Sequence, residues 1–134
     1  MAGEYNFTIE QGADFTRTFT WTDAAGALVN LTTYTARMKI KTAAGGDLIA
    51  SLASNANTTV PYIDVNGAAQ TYTSAASGIT LGGAAGTIIV TILAAGTTLM
   101  NFKRGVYDLE LVSASSVVTR LLEGNVLLSK EVTT

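Results

Sequence analysis

The chain has 134 residues, a length that supports one domain with its own hydrophobic core. Charged residues make up 13% of the chain, against about 25% in typical globular domains, and the formal net charge is −2. There is no histidine and no cysteine, which excludes disulfides, thiolate zinc sites and catalysis by a Ser-His-Asp or Cys-His arrangement. Such a weakly charged surface favours a protein that functions inside an assembly, although it also fits an ordinary Thr- and Ala-rich domain.

The first predicted strand alternates apolar and threonine side chains. Phe15, Phe19 and Trp21 share one face, and threonines occupy the opposite face. Arg17 interrupts the apolar face near a rim. Alternating aromatic and β-branched residues are typical of a half-buried strand. The Asp-Ala-Ala-Gly segment at 23–26 predicts a turn after it.

The second predicted strand combines a core-facing set with a basic ridge. The core-facing residues are Tyr34, Ala36, Met38 and Ile40, and the ridge consists of Arg37, Lys39 and Lys41. This assignment follows because successive side chains point to opposite faces of a strand. Residues 43–47 predict a turn, and 48–52 can return as an antiparallel partner.

Residues 53–78 form a small, polar and nearly uncharged segment. Asn66-Gly67 is a strong hairpin signal. Pro61 places this hairpin at a sheet edge because proline has no N–H for the ladder. We expect an excursion from the body of the domain that takes part in an interface. A disordered loop is the alternative, because the segment has few packing residues.

The most β-prone stretch of the chain lies at 87–93, with alternate side chains on one face. Residues 97–102 contain the only plausible helical turn, which Thr97 or Thr98 could cap. A long final strand is expected over 117–128, with a β-bulge at Glu123-Gly124.

The strand before this last one separates apolar from acidic residues. Tyr107, Leu109 and Leu111 face one side, and Asp108 and Glu110 face the other. If it neighbours the strand with the basic ridge, cross-strand ion pairs form and set the register.

Seven to nine short strands without a long helical pattern predict an all-β fold: a single antiparallel β-sandwich of the immunoglobulin-like kind. It spans residues 1–134 as one domain, with 53–78 as an insertion or extended loop, and we expect less than about 10% helix against a typical 30–35%. The predicted core consists of Phe19, Trp21, Tyr34, Met38, Ile88, Val90, Ile92, Tyr107, Leu109 and Leu111.

Enzymatic function is not expected. Asp108 and Glu110 are the closest carboxylate pair, and because they lie two apart on a strand they point the same way, as a solvated ridge does. They are too few to hold Ca²⁺ without loop ligands. No metal and no cofactor are predicted, and nothing resembles a clustered basic surface for nucleic acid.

The candidate interface therefore combines the two charged ridges with the hairpin. Its residues are Pro61, Tyr62, Tyr72, Arg37, Lys39, Lys41, Asp108 and Glu110. The basic ridge could also bind an anionic ligand, and the two tyrosines could stack on sugar rings. Scattered residues of this kind more often belong to a solvent-exposed face or to packing.

Several segments resemble small virion proteins of tailed bacteriophages. They are Tyr5 to Phe15, Asn30 to Thr32 followed by Tyr34 to Met38, Gly105 to Leu111, Val118 to Gly124 and Glu131 to Thr133. The pattern is also distantly similar to the N-terminal domain of phage baseplate upper proteins, an immunoglobulin-like β-sandwich that anchors receptor-binding parts. Its Gly-x-Tyr-x-x-x-Leu motif matches Gly105, Tyr107 and Leu111. Residues 53–78 depart from this pattern.

The resemblance implies a structural role in the virion, as a module that connects or anchors a baseplate or tail fibre. The implied partners are other phage structural proteins and copies of the chain itself, with no nucleic acid and no membrane. A capsid cement protein and a receptor- or glycan-binding tail module are the alternatives. The chain start has no secretory signal and no span resembles a membrane helix, so assembly is expected in the bacterial cytoplasm.

Overall fold

The computed structural model describes residues 3–54, 57–75 and 77–132. Three positions of the segment 53–78 (55, 56 and 76) and Thr133 of the phage-like ending lie outside the described residues. The strands are β1 Gly3–Glu4, β2 Phe7–Glu10, β3 Phe15–Thr20, β4 Thr35–Lys41, β5 Leu48–Ala53, β6 Asn57–Ile63, β7 Ala69–Ser74, β8 Gly78–Leu81, β9 Thr87–Ile92, β10 Arg104–Val112 and β11 Val118–Ser129. The helical segments among the described residues are a 3-10 turn at Gly83–Ala85 and α1 at Ala94–Thr97, so the expectation of little helix is confirmed.

Two sheets face each other across a single core. The larger sheet has the order β1-β11-β10-β4-β5-β6-β7, with β2 also paired to β11, and the smaller sheet has the order β3-β9-β8. Apart from the parallel pairing of β1 and β2 with β11, neighbouring strands in both sheets are antiparallel. Buried residues from both sheets belong to one hydrophobic cluster.

The strand order confirms the predicted immunoglobulin-like β-sandwich. The smaller sheet, β3-β9-β8, has the order B-E-D of a variable-type domain. The stretch β11-β10-β4-β5-β6 of the larger sheet has the order G-F-C-C′-C″. The chain adds β7 beyond β6. Its first strands lie beside β11 in the larger sheet, and among the described residues no strand lies on the outer side of β3.

Most residues of the predicted core are buried, but three aromatic residues are only partly buried. Seven of the ten predicted residues are at most 5% exposed: Met38, Ile88, Val90, Ile92, Tyr107, Leu109 and Leu111. Phe19, Trp21 and Tyr34 are only partly buried and pack against the edge of the core. The Trp21 and Tyr34 rings meet edge-on with centroids 5.8 Å apart. Trp21 follows β3 and Tyr34 precedes β4, so both lie outside the strands, and Phe19 lies in the last two residues of β3.

One turn design occurs three times: it connects β6 to β7 and β10 to β11, and it joins the bridged residues Thr22 and Leu28. At 23–27, 64–68 and 113–117 the first residue accepts a hydrogen bond from the fourth and donates one to the carbonyl of the fifth. The fourth residue has a positive φ, as Gly26, Gly67 and Ser116 show. This is a three-residue loop with a left-handed last position. The first residue is Asp or Ser because its side chain accepts the N–H of the fifth residue.

The hairpin predicted at Asn66-Gly67 is present as β6 and β7, but its base belongs to the sandwich instead of leaving it. Thr58 and Val60 are fully buried, and residues 57–59 pair with β5. Beyond residue 59, β6 keeps only β7 as a neighbour, so the outer part of the hairpin extends past the sheet. The alternative of a disordered loop is wrong for the described part of the segment.

The predicted bulge at Glu123-Gly124 is wrong. Both residues pair regularly with β10, and the irregularity lies two residues earlier, where Leu109 pairs with Leu122 and Glu110 pairs with Arg120. The glycine at position 124 is needed for a different reason, which is space. A Cβ at position 124 would clash with the Tyr5 carbonyl oxygen, so Gly124 lets the segment around Tyr5 approach β11.

The helical turn begins earlier than predicted, at Ala94. Neither threonine caps it. The Asp14 carboxylate accepts a hydrogen bond from the Ala94 N–H at 2.7 Å, which satisfies one free helix donor from a distant loop. Thr97 is fully buried, and its hydroxyl donates to the Ala13 carbonyl at 2.8 Å. A residue distant in sequence, Asp14, thus takes the place of the predicted threonine cap. The spacing of residues near the helix could not predict this contact.

Candidate interaction surface

The outer face of the larger sheet brings the two charged ridges together. β4 and β10 are neighbours, with Lys39 opposite Asp108 and Arg37 opposite Glu110. The conditional prediction of cross-strand ion pairs is confirmed for Arg37 and Glu110, whereas Asp108 pairs with Arg120 of β11 and not with Lys39. The Arg37 Nε lies 2.7 Å from Glu110 Oε1 and donates a hydrogen bond to it. Because the guanidinium side chain is about half exposed, this pair contributes at most about 1 kcal/mol.

The bulge in β11 extends this charged face by one strand. In a regular strand, residues three apart point to opposite faces. The irregularity between Arg120 and Leu122 turns Arg120 to the same side as Glu123. The Arg120 guanidinium then lies 3.6 Å from both the Asp108 and the Glu123 carboxylates. The sequence did not place Arg120 or Glu123 on this charged face, because only the register reveals which way their side chains point.

A shallow groove runs over this charged face. Its acidic residues are Glu4, Asp108, Glu110 and Glu123, and its basic residues are Arg37, Lys39, Lys41 and Arg120. The two sets are equal in number, so the groove has no net charge of either sign. Anionic ligands are bound where one sign dominates, and the arrangement therefore does not favour an anionic glycan or nucleic acid.

The hairpin residues of the predicted interface do not join the charged face. Pro61 lies on the outer face of β6, three strands from β10, and three strand spacings of about 4.8 Å separate β4 from β7. Tyr62 and Tyr72 lie on the opposite, inner face together with the buried Val60, and both are half-buried. Tyr72 packs against the hydrophobic core, so its ring is not a free platform for a sugar.

The hydrogen-bond pattern of the hairpin shows which backbone groups face outward. The Asp64 N–H donates to the Ala68 carbonyl at 2.9 Å and closes the hairpin. Antiparallel pairs alternate between bonded and non-bonded types, so the pair of Tyr62 with Gln70 is bonded and the pair of Pro61 with Thr71 is not. Pro61 therefore forfeits no bond to β7.

The free edge of β7 follows from the same alternation. Its residues in non-bonded pairs with β6 turn their N–H and C=O groups away from β6. These residues are Ala69, Thr71 and Thr73. Because β7 ends the larger sheet, these backbone groups lie along its outer edge.

The tip of the hairpin exposes apolar surface. Ile63 is 67% exposed and Val65 is fully exposed. The next charged residue after Asp64 is Lys103. The tip therefore carries the single charge of Asp64 beside its apolar residues, and β7 is neutral on a sheet whose middle is charged. Apolar exposure beside a neutral edge is typical of a contact surface.

The Asp64 carboxylate holds the turn at this tip. It accepts hydrogen bonds from the N–H groups of Asn66 at 2.9 Å and Ala68 at 3.0 Å, and from the Gln70 amide at 3.0 Å. These bonds lower the pKa of Asp64 from its usual 3.8, with the Ala68 N–H as the main cause and the Gln70 amide next.

Among the described residues, no group of three or more acidic, histidine or cysteine side chains is placed to hold a metal ion. No buried side-chain nitrogen or oxygen in that part of the chain lacks a hydrogen-bond partner. No helix in the described ranges is long and apolar enough to cross a membrane.

The chain matches no protein-family model and none of the curated proteins compared with it. Among solved structures, it is similar to the extracellular domain of the voltage-gated sodium channel beta4 subunit, reported as parallel homodimers that explain a role in cell-cell adhesion. The TM-score is 0.42 and the identity 7%, over 98% of this chain and 96% of the other. At this TM-score the likeness adds nothing to what the strand order already shows.

Proposed function

We propose that the chain is a non-enzymatic structural module that acts by packing against other proteins. The observation that supports this most is the β6–β7 hairpin, which extends past the sandwich with a neutral edge and an exposed apolar tip. A long hairpin of this kind is marginal in water by itself, and contact with a neighbouring chain would cover it. The charged groove is balanced and shallow, which suits a rim of polar contacts better than a reaction site.

The finer proposal is that this packing occurs in the virion of a tailed phage, where the chain connects or anchors a baseplate or tail fibre. Its support is the sequence resemblance, which spans most of the chain outside residues 53–78. A rigid sandwich that presents edges and loops fits this role, because symmetric packing repeats one small interface many times.

Immunogold labelling of whole particles with an antibody against the purified chain tests the location. Label at the tail tip is the expected result. Label spread over the head would replace the proposal by the capsid cement alternative, and absence of label from intact and from disrupted particles would contradict a virion role altogether.

Shortening the hairpin tests the packing function. Residues 61–71 are replaced by Asn-Gly, which joins Val60 directly to Tyr72 by a two-residue turn. This keeps the buried base of the hairpin and removes only the outer part. We expect the shortened chain to fold, with a wild-type far-UV spectrum, and to enter particles at reduced copy number. Normal copy number would show that the outer hairpin is not an assembly contact.

The exposed Ile63 and Val65 favour receptor binding as a second candidate function, since an apolar tip also suits insertion into a receptor. The pair of alanine replacements Ile63→Ala and Val65→Ala distinguishes the two. Particles that assemble normally but adsorb poorly to cells would support the receptor-binding candidate against the packing module.

A further inference from the structure

The four sheet edges that the described residues form differ in how they are protected against pairing with another strand. Proteins protect edges by shortness, by charged or inward-pointing charged residues, or by covering them. The edge at the chain start is split into β1 and β2 and carries the exposed Glu4 and Glu10. On β3, Arg17 lies on the inward face with its guanidinium 4.6 Å from the Phe15 ring centre.

The remaining two edges are β8 and β7. β8 has four residues, and Ile79 already forms a parallel bridge with Ser54. β7 has six residues, Ala69 to Ser74, with no charge and no proline, and its pairing with β6 shows no bulge. Among the described edges, β7 is therefore the one with none of these protections.

We propose that β7 pairs with β7 of a second copy of this chain, antiparallel and about a two-fold axis, so that the larger sheets of two molecules become continuous. This rests on the proposed packing function and names the surface and the partner. Outward-facing backbone groups of one strand must meet outward-facing groups of the other. A register centred on Tyr72 satisfies this condition and places Thr71 of each copy opposite Thr73 of the other.

The neutrality of β7 is what points to a second copy as the partner. A two-fold axis brings each strand against itself, so any charge near the axis meets its own sign, and like charges directly opposite are destabilising. β7 has none. Cross-strand threonine pairs are favourable instead, and the axis brings the two half-buried Tyr72 rings together on the inner face. Because the β7 edges of both copies are then paired with each other, this assembly closes at two chains.

Charge variants of the full chain test the pairing and its register. T71K/T73K places lysine opposite lysine twice and raises the net charge by two. T71K/T73E places lysine opposite glutamate twice and leaves the net charge unchanged. T16K/T18K adds the same two lysines on exposed positions of β3, away from β7, and is the matched control. Molecular mass in solution is measured by analytical ultracentrifugation at low ionic strength.

We expect the wild-type chain, T16K/T18K and T71K/T73E to have twice the chain mass of 13.9 kDa. T71K/T73K should dissociate, with a dissociation constant about tenfold higher or more. It should recover at about 1 M salt, where charges are screened within about 3 Å. In the dimer, the amides of Ala69, Thr71 and Thr73 should exchange slowly with deuterium, and in T71K/T73K they should exchange rapidly.

A monomeric wild-type chain at its solubility limit overturns the proposal, as does a T71K/T73K chain that dimerises as well as wild type. Dissociation of T71K/T73E together with T71K/T73K overturns the register centred on Tyr72. These measurements involve no particles, so they can fail while the chain is still found in virions. Equally, a β7 dimer that is absent from particles would leave this inference standing and contradict the virion role.

Discussion

Leu109 lies in the middle of β10, and its side chain is completely buried. Truncation to alanine removes three buried carbon atoms and leaves a cavity between the sheets. We expect Leu109→Ala to lower the free energy of unfolding by about 2–5 kcal/mol, measured by urea denaturation. Val117→Ala, at a position that is 59% exposed, should change it by less than about 0.5 kcal/mol. A negligible loss at Leu109 would mean that β10 turns its other face inward.

Tyr107 shows what a residue-level prediction can miss. Its alternation with Leu109 correctly indicated a buried side chain. Its hydroxyl, however, donates a hydrogen bond to the carbonyl oxygen of Tyr5 at 2.6 Å, and Tyr5 is 102 positions away in the sequence. Burial raises the pKa of Tyr107 well above its usual 10, so the hydroxyl stays protonated and remains a donor. The close approach of Tyr5 to Gly124 completes this contact between the chain start and the last two strands.

The stability of the β6–β7 hairpin depends on pH through Asp64. The pKa of Asp64 is lower in the folded chain than its usual 3.8. The ionised carboxylate therefore stabilises the turn above that usual value, and this stabilisation is lost as the pH falls through the folded pKa. We expect the amides of Asn66 and Ala68 to shift toward unfolded positions below about pH 3.8 in an NMR titration.

The control for this titration is Asp64→Asn. Its side-chain oxygen can accept the same two backbone N–H bonds but does not ionise. These amides should then show no acid transition with a midpoint near a carboxyl pKa. An equal transition in the variant would assign it to another carboxyl group and not to Asp64.

The charged face illustrates how element-level pairing decides a site. Arg37, Asp108 and Glu110 were predicted on outward faces, and alternation alone placed them there. The ion pair between Arg37 and Glu110 required β4 and β10 to be neighbours, as the structure shows. Arg120 joined them only through the bulge in β11, because a regular strand would have turned it inward.

The whole molecule has one core that draws side chains from both sheets. Such an arrangement predicts a single cooperative unfolding transition, because neither sheet can keep its buried face without the other. Far-UV circular dichroism and the fluorescence of Trp21 should therefore follow the same curve in urea. Two separate curves would show that the chain does not unfold as one domain.

The sequence determined the strand content, the inward and outward faces of the strands and the positions of most turns. These features depend on local alternation and on turn residues such as Asp64 and Gly67, which act within a few positions. It also showed that neither histidine nor cysteine could serve a site.

Only the tertiary structure decided which strands are neighbours, where β11 bulges and which edge is left open. Loop closure allows many pairings of short strands, and no local pattern separates them. Tyr62 and Tyr72 turned inward because β6 joined the sheet, and Thr97 found its partner in Ala13 across the molecule. The neutral edge of β7 was visible as composition, but its exposed backbone followed only from the hydrogen-bond alternation that the closed hairpin imposes.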